Sequence, residues 1–114
     1  MKPFENFIPE TFRIAGMTYH VFFVDEQMGG TLYGSINHPK NEVALFRKLG
    51  ENTISREQHL QTFWHEVVHG ILTNMGESEL NDNEKFVCTF SSFLNEVMQS
   101  AEIEGLSYEK SYLP

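Results

Sequence analysis

Five consecutive residues near the middle of the chain, His65-Glu66-Val67-Val68-His69, put two imidazoles and a carboxylate at a spacing that can do metal chemistry. In a helix turning about 100° per residue, His65 and His69 stand about 40° apart around the axis and one turn apart along it. Two imidazoles so placed can converge on one tetrahedral zinc ion. Glu66 stands about 100° from His65 and about 60° from His69, beside such an ion rather than on it. That position suits a base acting on a metal-activated water. Zinc lowers the pKa of the water towards about 7, and the carboxylate can pass its proton to a leaving amine. The plainer alternative is a pair of ordinary helix histidines at the border of the core.

A zinc site of this kind needs a third protein ligand. Glu84 follows His69 by fifteen residues and falls in the first turn of a second helical segment. If the two helices pack antiparallel, its carboxylate can face the histidine pair. Glu84 could instead be a favourable first-turn acid, or the acidic member of a capping box with Asn81. Asp82 and Glu79 are the other acids within reach. Cys88 is read as a small buried hydrophobe rather than a soft ligand. His59, six residues before His65, is expected at the surface. His20 in a strand and His38 in a turn could each assist a substrate oxyanion or serve as a ligand. Tyr33, Tyr108 and Tyr112 are possible donors to a transition state, with nothing in the sequence to choose among them.

These side chains need elements to hold them. Ser55-Arg56-Glu57-Gln58 matches a capping box. Behind it Leu60, Phe63, Trp64, Val67, Val68, Ile71, Leu72 and Met75 recur at three- and four-residue steps, so one helix is expected over residues 56–75. Gly76 is placed to end it in the left-handed conformation. A second helix is expected from Asn81 or Asp82, with Phe86, Val87, Phe90, Phe93, Leu94, Val97 and Met98 as its apolar stripe. The first half reads as strand. Thr11–Ala15 and Tyr19–Val24 flank Gly16 as a hairpin. Asp25–Gly30 is a loop. Thr31–Ile36 and Glu42–Arg47 are two further strands joined by a turn at residues 37–41. In Val43-Ala44-Leu45-Phe46 both faces are apolar, so this strand is expected to be covered on both sides. The fold class is therefore α+β: a small, mainly antiparallel sheet of three to four strands packed on two helices, the first carrying the H-E-x-x-H sequence.

The chain of 114 residues is long enough for one domain. Residues 1–10 read as an arm and residues 100–114 as an acidic tail. Ten Phe and 40% hydrophobic residues argue against a disordered chain. The longest apolar runs, such as Val21–Val24, are too short to span a membrane. No apolar stretch follows Met1-Lys2-Pro3-Phe4-Glu5, so a signal peptide is not expected. The single Cys88 fits a reducing compartment. The net charge is −8, with no Lys/Arg cluster, which argues against a nucleic-acid partner.

The run from Leu32 to Met98 resembles the minimal zincin domains of phage and prophage proteins, related loosely to the ImmA/IrrE-like and SprT-like groups. The matching stretches are Leu32-Tyr33-Gly34, Val43-Ala44-Leu45-Phe46, Thr62 to Leu72 across the H-E-x-x-H sequence, and Leu80-Asn81-Asp82-Asn83-Glu84. The resemblance implies His65 and His69 as zinc ligands, Glu66 as the catalytic carboxylate and Glu84 as third ligand. It implies a zinc-dependent peptide hydrolase acting on a protein or peptide in the cytoplasm, the host's if the chain is phage-encoded. An extended substrate could add to the sheet edge beside the helix. The other readings are a zinc-stabilised, phage-encoded binding or effector protein without peptidase activity, and a structural domain without metal. The sequence leaves the substrate and the oligomeric state open.

Overall fold

The organising element is a twenty-residue helix, α1 (Arg56–Met75). Ser55 caps it, its Oγ accepting from the Gln58 amide at 3.1 Å. The Gln58 side chain donates forward to Thr62 Oγ1 and makes no return bond to the Ser55 amide. Gly76 ends the helix with φ at 75°, a conformation that only glycine adopts without cost. The computed structural model describes residues 1–25 and 33–103.

Four strands make the sheet on which α1 lies: β1 (Thr11–Ile14), β2 (Met17–Val24), β3 (Gly34–Asn37) and β4 (Glu42–Phe46), in the order β1-β2-β4-β3. Ala15 and Gly16, both at positive φ, form the tight turn of the expected β1–β2 hairpin. The β3–β4 pair is also antiparallel, but β2 and β4 run parallel, His20 opposite Glu42 through Val24 opposite Phe46. The sheet is thus mainly antiparallel with one parallel pairing. The reason is burial: β4 carries Val43 and Leu45, both fully buried, and takes an interior position that needs a partner on each side. Its opposite face, Ala44 and Phe46, is half-buried rather than covered. A small second sheet, β5 (Lys48–Leu49) with β6 (Asn52–Thr53), turns at Gly50 and was not foreseen. The expected loop after Asp25 and the start of the strand at Thr31 lie outside the described residues.

Val43, Leu45, Phe63 and Val67 form the main core, with Phe12, Ile36 and Trp64 packed against it. β3 presses close to α1. A Cβ on Gly34 would stand 2.6 Å from the Ala44 carbonyl oxygen and 2.7 Å from Thr62 Cγ2. Backbone cannot yield as a flexible side chain does. We expect Gly34→Ala to cost about 1–3 kcal/mol in denaturant unfolding. A variant as stable as the wild type would show that the strand slides freely away from the helix.

After Gly76 the chain makes a short helix, α2 (Ser78–Asn81), where a plain loop was expected, and then α3 (Glu84–Ser100). The cap of α3 is Asn83, whose Oδ1 accepts from the Phe86 amide at 3.0 Å, and not Asn81 or Asp82. Val87 packs with Val68 and Leu72 in a second core, flanked by Phe86 and Leu94. Three of the seven residues of the α3 stripe lie outside the core: Phe90, Phe93 and Val97 are 49%, 64% and 60% exposed. Residues 1–10 do lie along the domain, with the Asn6 amide donating to Gln99 Oε1 and Arg56 reaching the Asn6 carbonyl. Among the described residues no helix is long and apolar enough to cross a membrane.

Candidate metal centre

The edge of α1 that carries His65, Glu66 and His69 forms the floor of a cleft of about 800 Å³. Tyr33 to Ile36 on and beside β3, with His38, make one wall, and Glu84, Cys88 and Ser92 of α3 make the other. Both histidines are half-buried, as their place at the border of the apolar arc requires. Their rings meet edge to face, with centroids 4.8 Å apart. Glu84 reaches across from the first turn of α3. Its Oε2 stands 3.7 Å from His65 Nε2 and its Oε1 3.5 Å from His69 Nε2.

Those two distances carry chemical information. They are long for hydrogen bonds. Ligand atoms about 2.0–2.1 Å from a tetrahedral zinc stand about 3.3–3.4 Å from one another; here each imidazole meets a different oxygen of the carboxylate, at slightly longer range. The groups His65, Glu66, His69 and His65, Glu84, Cys88 each gather ligand atoms within 4.8 Å, so this part of the molecule could hold a metal ion. Asp82 and Glu79 are exposed and line no part of the cleft.

Glu66 differs from Glu84. It is only 6% exposed, and its Oε2 is buried without a hydrogen-bond partner among the described residues. Burial pushes its carboxyl up to about 7, against a pull down from His69 and with a smaller further push from Glu84. Burial also lowers His65, helped by the neighbouring His69 and opposed by Glu84.

The ring nitrogens of the two histidines that face away from Glu84 are also engaged. His69 Nδ1 lies 2.6 Å from Asn81 Oδ1. His65 Nδ1 lies 3.8 Å from the Sγ of Cys88, which is exposed, not a buried hydrophobe. Burial, and after it Glu84, raises the Cys88 thiol.

His59 is buried, not at the surface: its Nε2 lies 2.9 Å from the Phe46 carbonyl oxygen and its ring packs edge-on to Phe23. It ties α1 to the end of β4. His20 is exposed on β2 beside Phe22, away from the cleft. His38 does reach the cleft, its Nε2 3.2 Å from Thr73 Oγ1, and burial lowers its pKa with His69 adding to the effect. Tyr33 lines the same wall, whereas Tyr108 and Tyr112 lie outside the described residues. Gln58 and Thr62 in the cleft floor were missed, because their helical positions mark them only as polar border residues. No family model matches the chain, and no curated protein and no solved structure matches it.

Proposed function

We propose that the chain is a zinc-dependent peptide hydrolase of the zincin type, acting inside the cell on a protein or peptide. The observation that carries this reading is the division of labour between two carboxylates around one histidine pair. Glu84 faces both imidazoles, Oε2 3.7 Å from His65 Nε2 and Oε1 3.5 Å from His69 Nε2, while Glu66 stands buried at their flank with its proton affinity raised towards neutrality. Zinc, when bound by His65, His69 and Glu84, would supply a Lewis acid for the scissile carbonyl and acidify water. Glu66 Oε2 then holds the proton taken from water and releases it to the leaving amine, for which a pKa near the working pH is best.

Tyr33 and His38 line the wall opposite α3, and of the two the Tyr33 hydroxyl is the donor offered to a substrate carbonyl oxygen. Among the described residues β3 is an edge strand with β4 on one side only, and it borders the cleft. An extended peptide laid along it would cross the floor of the cleft at His65 and His69.

The reading is tested by metal content and by cleavage. The purified protein is expected to hold one zinc per chain. Zinc at about 100 times its Kd adds about 2.7 kcal/mol, which raises Tm by about 10 °C over the chelated protein. Zinc-loaded protein should cleave a randomised peptide pool, read by mass spectrometry. An unchanged Tm on chelation, with no zinc by elemental analysis, would end this reading. One observation favours a second one, a zinc-stabilised binding protein: Cys88 Sγ stands 3.9 Å from Glu84 Oε2 and could close the coordination sphere. Four protein ligands in an absorption spectrum of the zinc edge, with no cleavage, would select it.

A further inference from the structure

We infer that Asn81 is the positioning residue that decides which nitrogen of His69 is offered to metal, and that the choice is relayed through Thr73 to His38. The inference rests on the zinc reading above. Asn81 Oδ1 stands 2.6 Å from His69 Nδ1, Asn81 Nδ2 stands 2.9 Å from Thr73 Oγ1, and Thr73 Oγ1 stands 3.2 Å from His38 Nε2. Three links thus join the histidine at the floor of the cleft to the histidine on its wall. Residues from the end of α1, from α2 and from the β3–β4 turn meet in this chain of contacts.

An imidazole that binds metal through Nε2 must carry its proton on Nδ1. That proton goes to Asn81 Oδ1. The Asn81 amide then has its NH₂ towards Thr73, and Nδ2 donates to Oγ1. The Thr73 hydroxyl, having accepted there, turns its own proton to His38 Nε2. His38 is left neutral with its proton on Nδ1. The reverse polarity needs a half-turn of the Asn81 amide, which exchanges Oδ1 and Nδ2; His38 Nε2 then donates to Thr73, Thr73 to Asn81 Oδ1, and Asn81 Nδ2 to His69 Nδ1. In that arrangement His69 is protonated on Nε2, the nitrogen facing Glu84, and cannot bind metal through it. Binding a metal at His69 Nε2 therefore selects one orientation of the Asn81 amide, with Nδ2 towards Thr73, and through the Thr73 hydroxyl biases the tautomer of His38, a group of the cleft wall outside the metal's own ligands.

The test uses the full chain, labelled with ¹⁵N in its histidines, with Zn²⁺ itself as the probe. In the zinc-loaded wild type, His69 and His38 should both appear as Nδ1–H tautomers. Asn81→Ala should weaken Zn²⁺ binding about 10–100-fold, the usual effect of losing the partner of a ligating histidine. Asn81→Asp keeps the acceptor for His69 but loses the donor to Thr73. It should restore zinc affinity to at least the wild-type value while leaving His38 uncoupled. Thr73→Val should bind zinc within a few-fold of wild type but release the His38 tautomer from dependence on zinc. Wild-type zinc affinity in Asn81→Ala, or an unprotonated Nδ1 on His69 in the zinc-loaded wild type, overturns the inference while the metal reading stands. A wild type that binds no zinc overturns both.

Discussion

Glu66→Gln is expected to make the metal-free protein more stable at neutral pH and, in the same molecule, to remove nearly all hydrolysis. The two effects have one cause. Glu66 is buried with its carboxyl raised from 4.5 to about 7. Between those values the unfolded chain has lost the proton and the folded chain keeps it, so stability falls as pH rises through this window. Above about pH 7 the full penalty of a buried carboxylate is present, on the order of 2–3 kcal/mol. A neutral amide carries no such penalty. The variant should therefore match the wild type near pH 4 and exceed it increasingly up to pH 8, as read by urea unfolding of chelated protein. The lowered pKa of His65 tilts stability the other way, but it does so in both proteins and largely cancels in the difference. An amide cannot take up the proton that hydrolysis requires, so turnover should drop by about 10²-fold or more with zinc still bound. Parallel pH profiles for the two proteins would refute the burial argument. Loss of zinc in Glu66→Gln would make Glu66 a ligand.

Glu84→Ala is expected to do the opposite: little change in the metal-free fold, and a collapse of zinc affinity. The carboxylate of Glu84 is 67% exposed, and Asn83, not Glu84, holds the end of α3. The stability cost should be the few tenths of a kcal/mol of a surface acid at a helix N-terminus. The metal cost is larger. Losing a partner that merely orients a ligand already costs about 10–100-fold, and a ligand itself should exceed that. Competition with a chromogenic chelator measures it. Glu84→Gln should recover a part through its carbonyl oxygen. If Glu84→Ala keeps its zinc, the third ligand must be sought at Glu66 or Cys88, and the separation of roles on which the hydrolase reading depends is lost.

What could be read in advance divides along the range of the interactions. The helix over 56–75, its caps at Ser55 and Gly76, and the β1–β2 hairpin are set by neighbours a few residues apart, and all three are present. The H-E-x-x-H spacing likewise translated directly into adjacent rings. The parallel pairing of β2 with β4 was not legible, because alternation says which face is apolar and not which strand lies alongside. The α3 stripe failed for the same reason. Phe90, Phe93 and Val97 are periodic, yet they are exposed among the described residues. In sequence Asn81 looks like a cap, because the side chains that satisfy a helix end are the ones that can satisfy a histidine. His59 carried no local mark of burial; its partner is a carbonyl thirteen residues away.

α1 supplies two of the proposed ligands and also Phe63, Val67, Val68 and Leu72 of both cores, whereas Glu84 and Asn81 belong to the short α2 and the first, exposed turn of α3. The two sides of the cleft should therefore open on different clocks. Backbone amides of residues 63–72 should exchange with solvent only through global unfolding, and those of 78–86 through cheaper local opening. Metal release would then follow the second class. An ion would leave by the lifting of α2 and the start of α3 from a histidine floor that stays folded, so its dissociation rate would report a subglobal fluctuation and not the stability of the protein.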